Sequence, residues 1–140
     1  MIFPVLINTS IFIFLSFLHV YWAMGGKKGM SAVLPSFEEG HAVFTPGPLV
    51  TFIVAAAMGI FAFITIGNLD IFREYVNLNI FKYATLAIGF IFTLRAIGDF
   101  KYIGFFKKAT GTLFAKNDTR YYSPLCVVIA FVSFLIFLLD

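Results

Sequence analysis

LVTFIVAAAMGIFAFITIG, residues 49–67, runs from end to end without a charged side chain. A soluble helix of this length would carry a polar face, whereas this one is apolar all round. At 1.5 Å per residue, about 20 such residues cross the roughly 30 Å hydrocarbon core of a bilayer. Working outward, Ile2 to Met24 is equally free of charge, Ile80 to Ile97 carries only Lys82 and Arg95 near its two ends, and Tyr121 to Leu139 closes the chain. With 61% hydrophobic and 12% charged residues among 140, against about 25% charged in an ordinary soluble domain, the whole chain reads as one membrane domain. The expected fold is all-α: a polytopic four-transmembrane-helix bundle, residues 1–140, with spans at about 2–24, 49–67, 80–97 and 121–139 and loops at 25–48 and 98–120.

Charge sets the expected orientation. Lys27 and Lys28 in the first loop and Lys101, Lys107, Lys108, Lys116 and Arg120 in the third outweigh Arg73 and Lys82 on the other side. By the positive-inside rule the first and third loops are then cytoplasmic and both termini lie outside. The first span lacks the positive leader and small-residue cleavage site of a signal peptide, so it is expected to stay. Pro46-Gly47-Pro48 marks the start of the second span, where proline is tolerated, and Asn68, Asp70 and Asn77 to Asn79 mark a short outer connection. Tyr21, Trp22, Tyr121 and Tyr122 stand where an interfacial aromatic belt belongs. The Ala55 to Gly59 spacing lets helix backbones approach closely, within the bundle or between two copies.

Ionisable residues within a span are costly and point to function. His19 and Arg95 both fall in the expected inner leaflet. His19, Trp22 and Gly26 follow at i, i+3 and i+7, and Arg95, Asp99 and Tyr102 at i, i+4 and i+7, so each set lines one helix face. If the faces meet beneath the Gly25-Gly26 exit, they form a pocket for an anionic or polar head. The competing readings are an Arg95 that snorkels to the interface and pairs with Asp99, and a His19 that bonds a neighbouring helix. Glu38, Glu39 and His41 add acid and imidazole in the first loop, but a Glu-x-x-His spacing is too little for zinc, and His19 and His41 do not sit on two helices as a bis-histidine haem needs. The lone Cys126 excludes an intramolecular disulfide or a Cys-rich metal site. No phosphate-binding glycine loop, G-x-S-x-G or H-E-x-x-H occurs. No nucleic-acid motif accompanies the basic charge.

Three segments, HVYWAMGG (19–26), RAIGDFKYIGFFKK (95–108) and FAKNDTRYYSPLC (114–126), resemble the bacterial four-helix membrane family known as domain of unknown function 3995. The resemblance spans nearly the full chain. It implies a motif set of His19, Tyr21, Trp22, Gly25, Gly26, Arg95, Gly98, Asp99, Asp118, Tyr122, Ser123 and Pro124, and it carries no activity or cofactor with it. The expectation is a small multi-pass protein of the bacterial inner (cytoplasmic) membrane. Its candidate ligand site at the cytoplasmic boundary is built from His19, Tyr21, Trp22, Gly25, Gly26, Glu38, Arg95, Asp99, Tyr102 and Asp118. The expected ligand is a lipid headgroup, a quinone or a small amphiphile. The alternative is an accessory or structural subunit of a larger membrane complex. Its partners are the lipid bilayer and, as candidates, a membrane protein or a second copy of the chain, with no nucleic acid.

Overall fold

The computed structural model of the chain describes residues 2–25, 47–98 and 121–139. These residues form four helices: α1 (Ile2–Ala23), α2 (Pro48–Gly67), α3 (Leu78–Ile97) and α4 (Ser123–Leu139). The first three are long and apolar enough to cross a membrane, and α4 is a shorter apolar helix. Large apolar side chains such as Phe3, Phe14, Phe17, Leu94 and Phe131 face outward. A surface of that kind is at home among acyl chains, and the fold is that of an apolar, multi-pass helical bundle.

The helix ends follow local chemistry. Gly47 is extended and Pro48 opens α2, where the missing N–H costs nothing. The Asn77 Oδ1 caps α3 by accepting from the Asn79 N–H at 2.9 Å, a standard use of asparagine. Both α1 and α3 stop on glycines in the left-handed region, Gly25 at φ +100° and Gly98 at φ +83°, a conformation that a β-carbon disfavours. α4 was expected from Tyr121, but residues 121–122 form a π turn and the regular helix begins at Ser123. Pro124 explains the change, because a proline in the first turn has no N–H with which to extend the bonding pattern backward.

Consecutive helices are antiparallel, in an up-down-up-down order. α1 packs chiefly on α2 and α3 chiefly on α4, and these two hairpins meet along thinner α1–α4 and α2–α3 seams. Within the first hairpin the Ser16 hydroxyl donates to the Ala55 carbonyl at 2.8 Å, and a β-carbon on Gly59 would stand 3.8 Å from the same Oγ. The small-residue spacing of α2 thus serves the α1 contact. In the second hairpin Gly89 lets Phe134 lie close, 2.7 Å from where a β-carbon would be. At the centre, Phe12, Phe61 and Phe92 from α1, α2 and α3 form a ring cluster with centroids 5.5 to 6.1 Å apart. Cys126, Ile129 and Ala130 of α4 complete the same core.

That cluster divides the bundle. On one side are the chain termini and the short α2–α3 connection; on the other are the ends of the helices that lead into residues 26–46 and 99–120. These are called below the termini end and the long-loop end.

Candidate functional site

The long-loop end holds the ionisable pair. Val5, Phe12 and His19 recur every seven residues on α1, and Val5 and Phe12 are fully buried, so His19 belongs to the inward stripe. On α3, Ile88, Phe92 and Arg95 stand at i, i+4 and i+7, and the first two are buried. Arg95 therefore also lies on the core side; it is half-buried and its Nη1 is shielded from solvent. α1 and α3 run parallel. His19 is seven residues beyond Phe12 and Arg95 three beyond Phe92, about 10 Å and 5 Å along the two axes. A long arginine side chain can make up that difference. Ser123, fully buried, brings a hydroxyl to the same end from α4.

Local bonds prepare the imidazole. His19 Nδ1 lies 2.7 Å from the Leu15 carbonyl, which can only accept, so Nδ1 carries a proton and Nε2 is the atom left for chemistry. The Trp22 ring meets the imidazole edge to face at 5.2 Å and restricts its rotation. Among the described residues of this end, Arg95 alone carries a permanent charge. Beside it, between the last turns of α3 and the first turns of α4, runs an apolar groove of about 330 Å³. Ala96 and Ala130 form its floor, and Val127, Phe131 and Phe134 its walls. Groove and guanidinium share one depth but lie on different sides of α3.

Of the other expected site residues, Tyr21 is exposed and half a turn from the inward stripe of α1. Gly25 closes α1 with its positive φ, so its backbone conformation accounts for the glycine. Gly26, Glu38, Asp99, Tyr102 and Asp118 lie outside the described residues, as do Glu39 and His41.

The termini end holds a polar layer that the sequence reading missed. Asn8 of α1 is fully buried; its Nδ2 donates to the Ile129 carbonyl at 3.2 Å and to Ser133 Oγ at 3.0 Å, both on α4. Asn68, at the end of α2, donates to Thr85 Oγ1 of α3 at 2.8 Å, and Thr85 donates on to the Phe81 carbonyl at 2.8 Å. Each pair ties one hairpin to the other. Thr9 and Thr65 are buried at the same end. A buried acceptor left without a donor costs about 1–3 kcal/mol, so so many polar groups in an apolar core call for an explanation. The signal was present as Asn8-Thr9 in the middle of a charge-free run, but a search confined to ionisable residues passes over it.

No curated protein and no solved structure matches the chain. A family model described as "Protein of unknown function (DUF3995)" matches residues 12–133, a range that takes in Phe12, His19, Arg95, Ser123 and Ser133. A match over that much of the chain shows its family: the protein belongs to DUF3995.

Proposed function

We propose that the chain crosses the membrane four times, with its termini outside, and binds a membrane-soluble amphiphile at the long-loop end, on the cytoplasmic side. The Arg95 guanidinium holds an anionic or carbonyl oxygen of the head, since its planar fork suits two oxygens at once. His19 Nε2 accepts or donates the second hydrogen bond. Asp99 and Asp118 enter this reading as the groups that orient Arg95 or exchange a proton with the head. The residues of α4 with the π turn before it, aided by Tyr121 and Tyr122 at the interface, make up the fourth crossing.

One observation carries the reading: Arg95 follows Ile88 and Phe92 on the core side of α3. An arginine that only snorkels needs a lipid-facing position from which to reach water. In line with the core, the fork of Arg95 is placed for the oxygen of a head bound within the bundle.

The test is purification of the tagged full-length protein in mild detergent, with mass spectrometry of co-eluting small molecules and proteins for wild type, Arg95→Ala and Arg95→Lys. The expected result is a lipid or quinone that wild type retains and both variants lose, at unchanged yield of folded protein. Full retention by Arg95→Lys returns Arg95 to the role of an interfacial anchor. A stoichiometric protein partner that survives every variant, with no small molecule, makes the chain an accessory subunit instead.

A further inference from the structure

The two asparagines of the termini end can be oriented by chemistry alone. The Asn8 amide faces the Ile129 carbonyl and the Asn68 amide faces the carbonyls of Ile64 and Thr65. Carbonyl oxygens only accept, so in both residues the NH2 group must take that side and the Oδ1 atom the other. Both Oδ1 atoms are then buried, and neither accepts from any of the described residues. The Thr9 hydroxyl is in the same position. In the other buried threonines of the long helices, Thr51, Thr65 and Thr85, the hydroxyl bonds the carbonyl four residues back, so Thr9 departs from the pattern of its own fold.

The three atoms lie on the termini side of the phenylalanine cluster, at depths about one helical turn apart. Asn8 and Thr9 lie one turn toward the termini from Phe12, and Asn68 two turns from Phe61 on the antiparallel neighbour. Asn8 is bonded to α4 and Asn68 to α3, so the layer spans both seams between the hairpins. It ends at the phenylalanine cluster, where Phe12 is fully buried.

We propose that this layer is a binding site for ordered water, which donates hydrogen bonds to Asn8 Oδ1 and Asn68 Oδ1 and bonds the Thr9 hydroxyl. Two carboxamide oxygens and a hydroxyl are the partners that buried waters use, and such waters are fixed parts of a fold. A bare cation fits less well. The described side chains of the layer are all neutral, and an uncompensated charge in an apolar core is far more costly than a neutral donor.

The experiment uses full-length protein in detergent micelles, labelled with ¹⁵N-asparagine, with Asn8→Gln and Asn68→Gln assigning the two side-chain amides. Cross-relaxation between bulk-frequency water and the NH2 groups of Asn8 and Asn68, with the sign of a slowly tumbling complex, is the expected result. Its absence at both, in folded protein, overturns the site. Thr9→Val, nearly isosteric and removing no described bond, gives an independent reading: it lowers the thermal midpoint if the hydroxyl holds water and raises it if the layer is dry. A midpoint that climbs when potassium or sodium chloride replaces choline chloride overturns water in favour of a cation. None of these readouts depends on Arg95 or on the amphiphile.

Discussion

The two ends of the bundle solve the problem of polar groups in hydrocarbon in opposite ways. At the termini end the core asparagines are neutral, buried and bonded across the seams: Asn8 to Ser133, and Asn68 to Thr85. At the long-loop end the candidate site is ionisable and half-buried: His19, with its imidazole tied to its own helix, and Arg95. A neutral amide can be shut inside a core if its donors are used, whereas a guanidinium cannot be shut in without a counter-group. The difference separates a clamp from a site. It also places the looser chemistry at the end where the two helices of each hairpin lead into residues 26–46 and 99–120.

The largest expected effect tests whether the ends are separate at all. Phe12 touches both Phe61 and Phe92 and is fully buried. Phe12→Ala removes the wall between the two polar regions and leaves a cavity, at a cost of about 3–5 kcal/mol in reversible unfolding in detergent. If instead stability hardly changes, the cluster is not the core that divides the molecule. Next comes Asn8→Ala, which loses both donor bonds to α4 and leaves Ser133 exposed to an empty space. We expect about 1–3 kcal/mol. In a double-mutant cycle with Ser133→Ala the coupling should be near 0.6 kcal/mol, about the average for polar pairs between membrane helices. Strict additivity would mean that the hydrogen bond does not clamp the hairpins.

Much of this was legible in the sequence, for simple reasons. Nineteen-odd apolar residues without charge leave a helix as the only satisfied backbone in lipid, so residues 49–67 settle α2 before any packing is known. Gly47-Pro48 and Asn77 punctuate helices by backbone chemistry that is local, and His19 and Arg95 stand out by cost alone. What could not be read was direction. Tyr21 and Trp22 are adjacent letters, yet Tyr21 faces outward and Trp22 lies against His19. Apolar residues on every face leave no moment from which to tell core from lipid. The Asn68–Thr85 and Asn8–Ser133 pairs were hidden for another reason, since each joins helices of different hairpins and exists only after those helices have docked. Gly25 stands at a φ of +100°, a backbone requirement that the letters Gly25-Gly26 do not announce.

That requirement gives a smaller prediction. Gly25→Ala forces a β-carbon into the left-handed region and should cost about 1 kcal/mol, although nothing lies within 4 Å to obstruct it. A loss of ligand larger than the loss of stability would show that the space, and not the backbone angle, is what the glycine provides.

The smallest expected effect on stability is the most informative about the contrast between the ends. His19→Asn keeps a polar side chain but replaces the ring that Trp22 packs against, and the lost bond to Leu15 lies within its own helix. Nothing described ties His19 to another helix, so the variant should stay within about 0.5 kcal/mol of wild type, as substitutions outside a core network do. Retention of the co-purifying amphiphile should nevertheless fall markedly, because the Nε2 partner is gone. Asn8→Ala should do the reverse, lowering stability while the retained molecule survives in whatever fraction remains folded. If the two variants instead lose stability and ligand in the same proportion, then the clamp and the site are one cooperative unit, and the division at the phenylalanine cluster describes packing without separating functions.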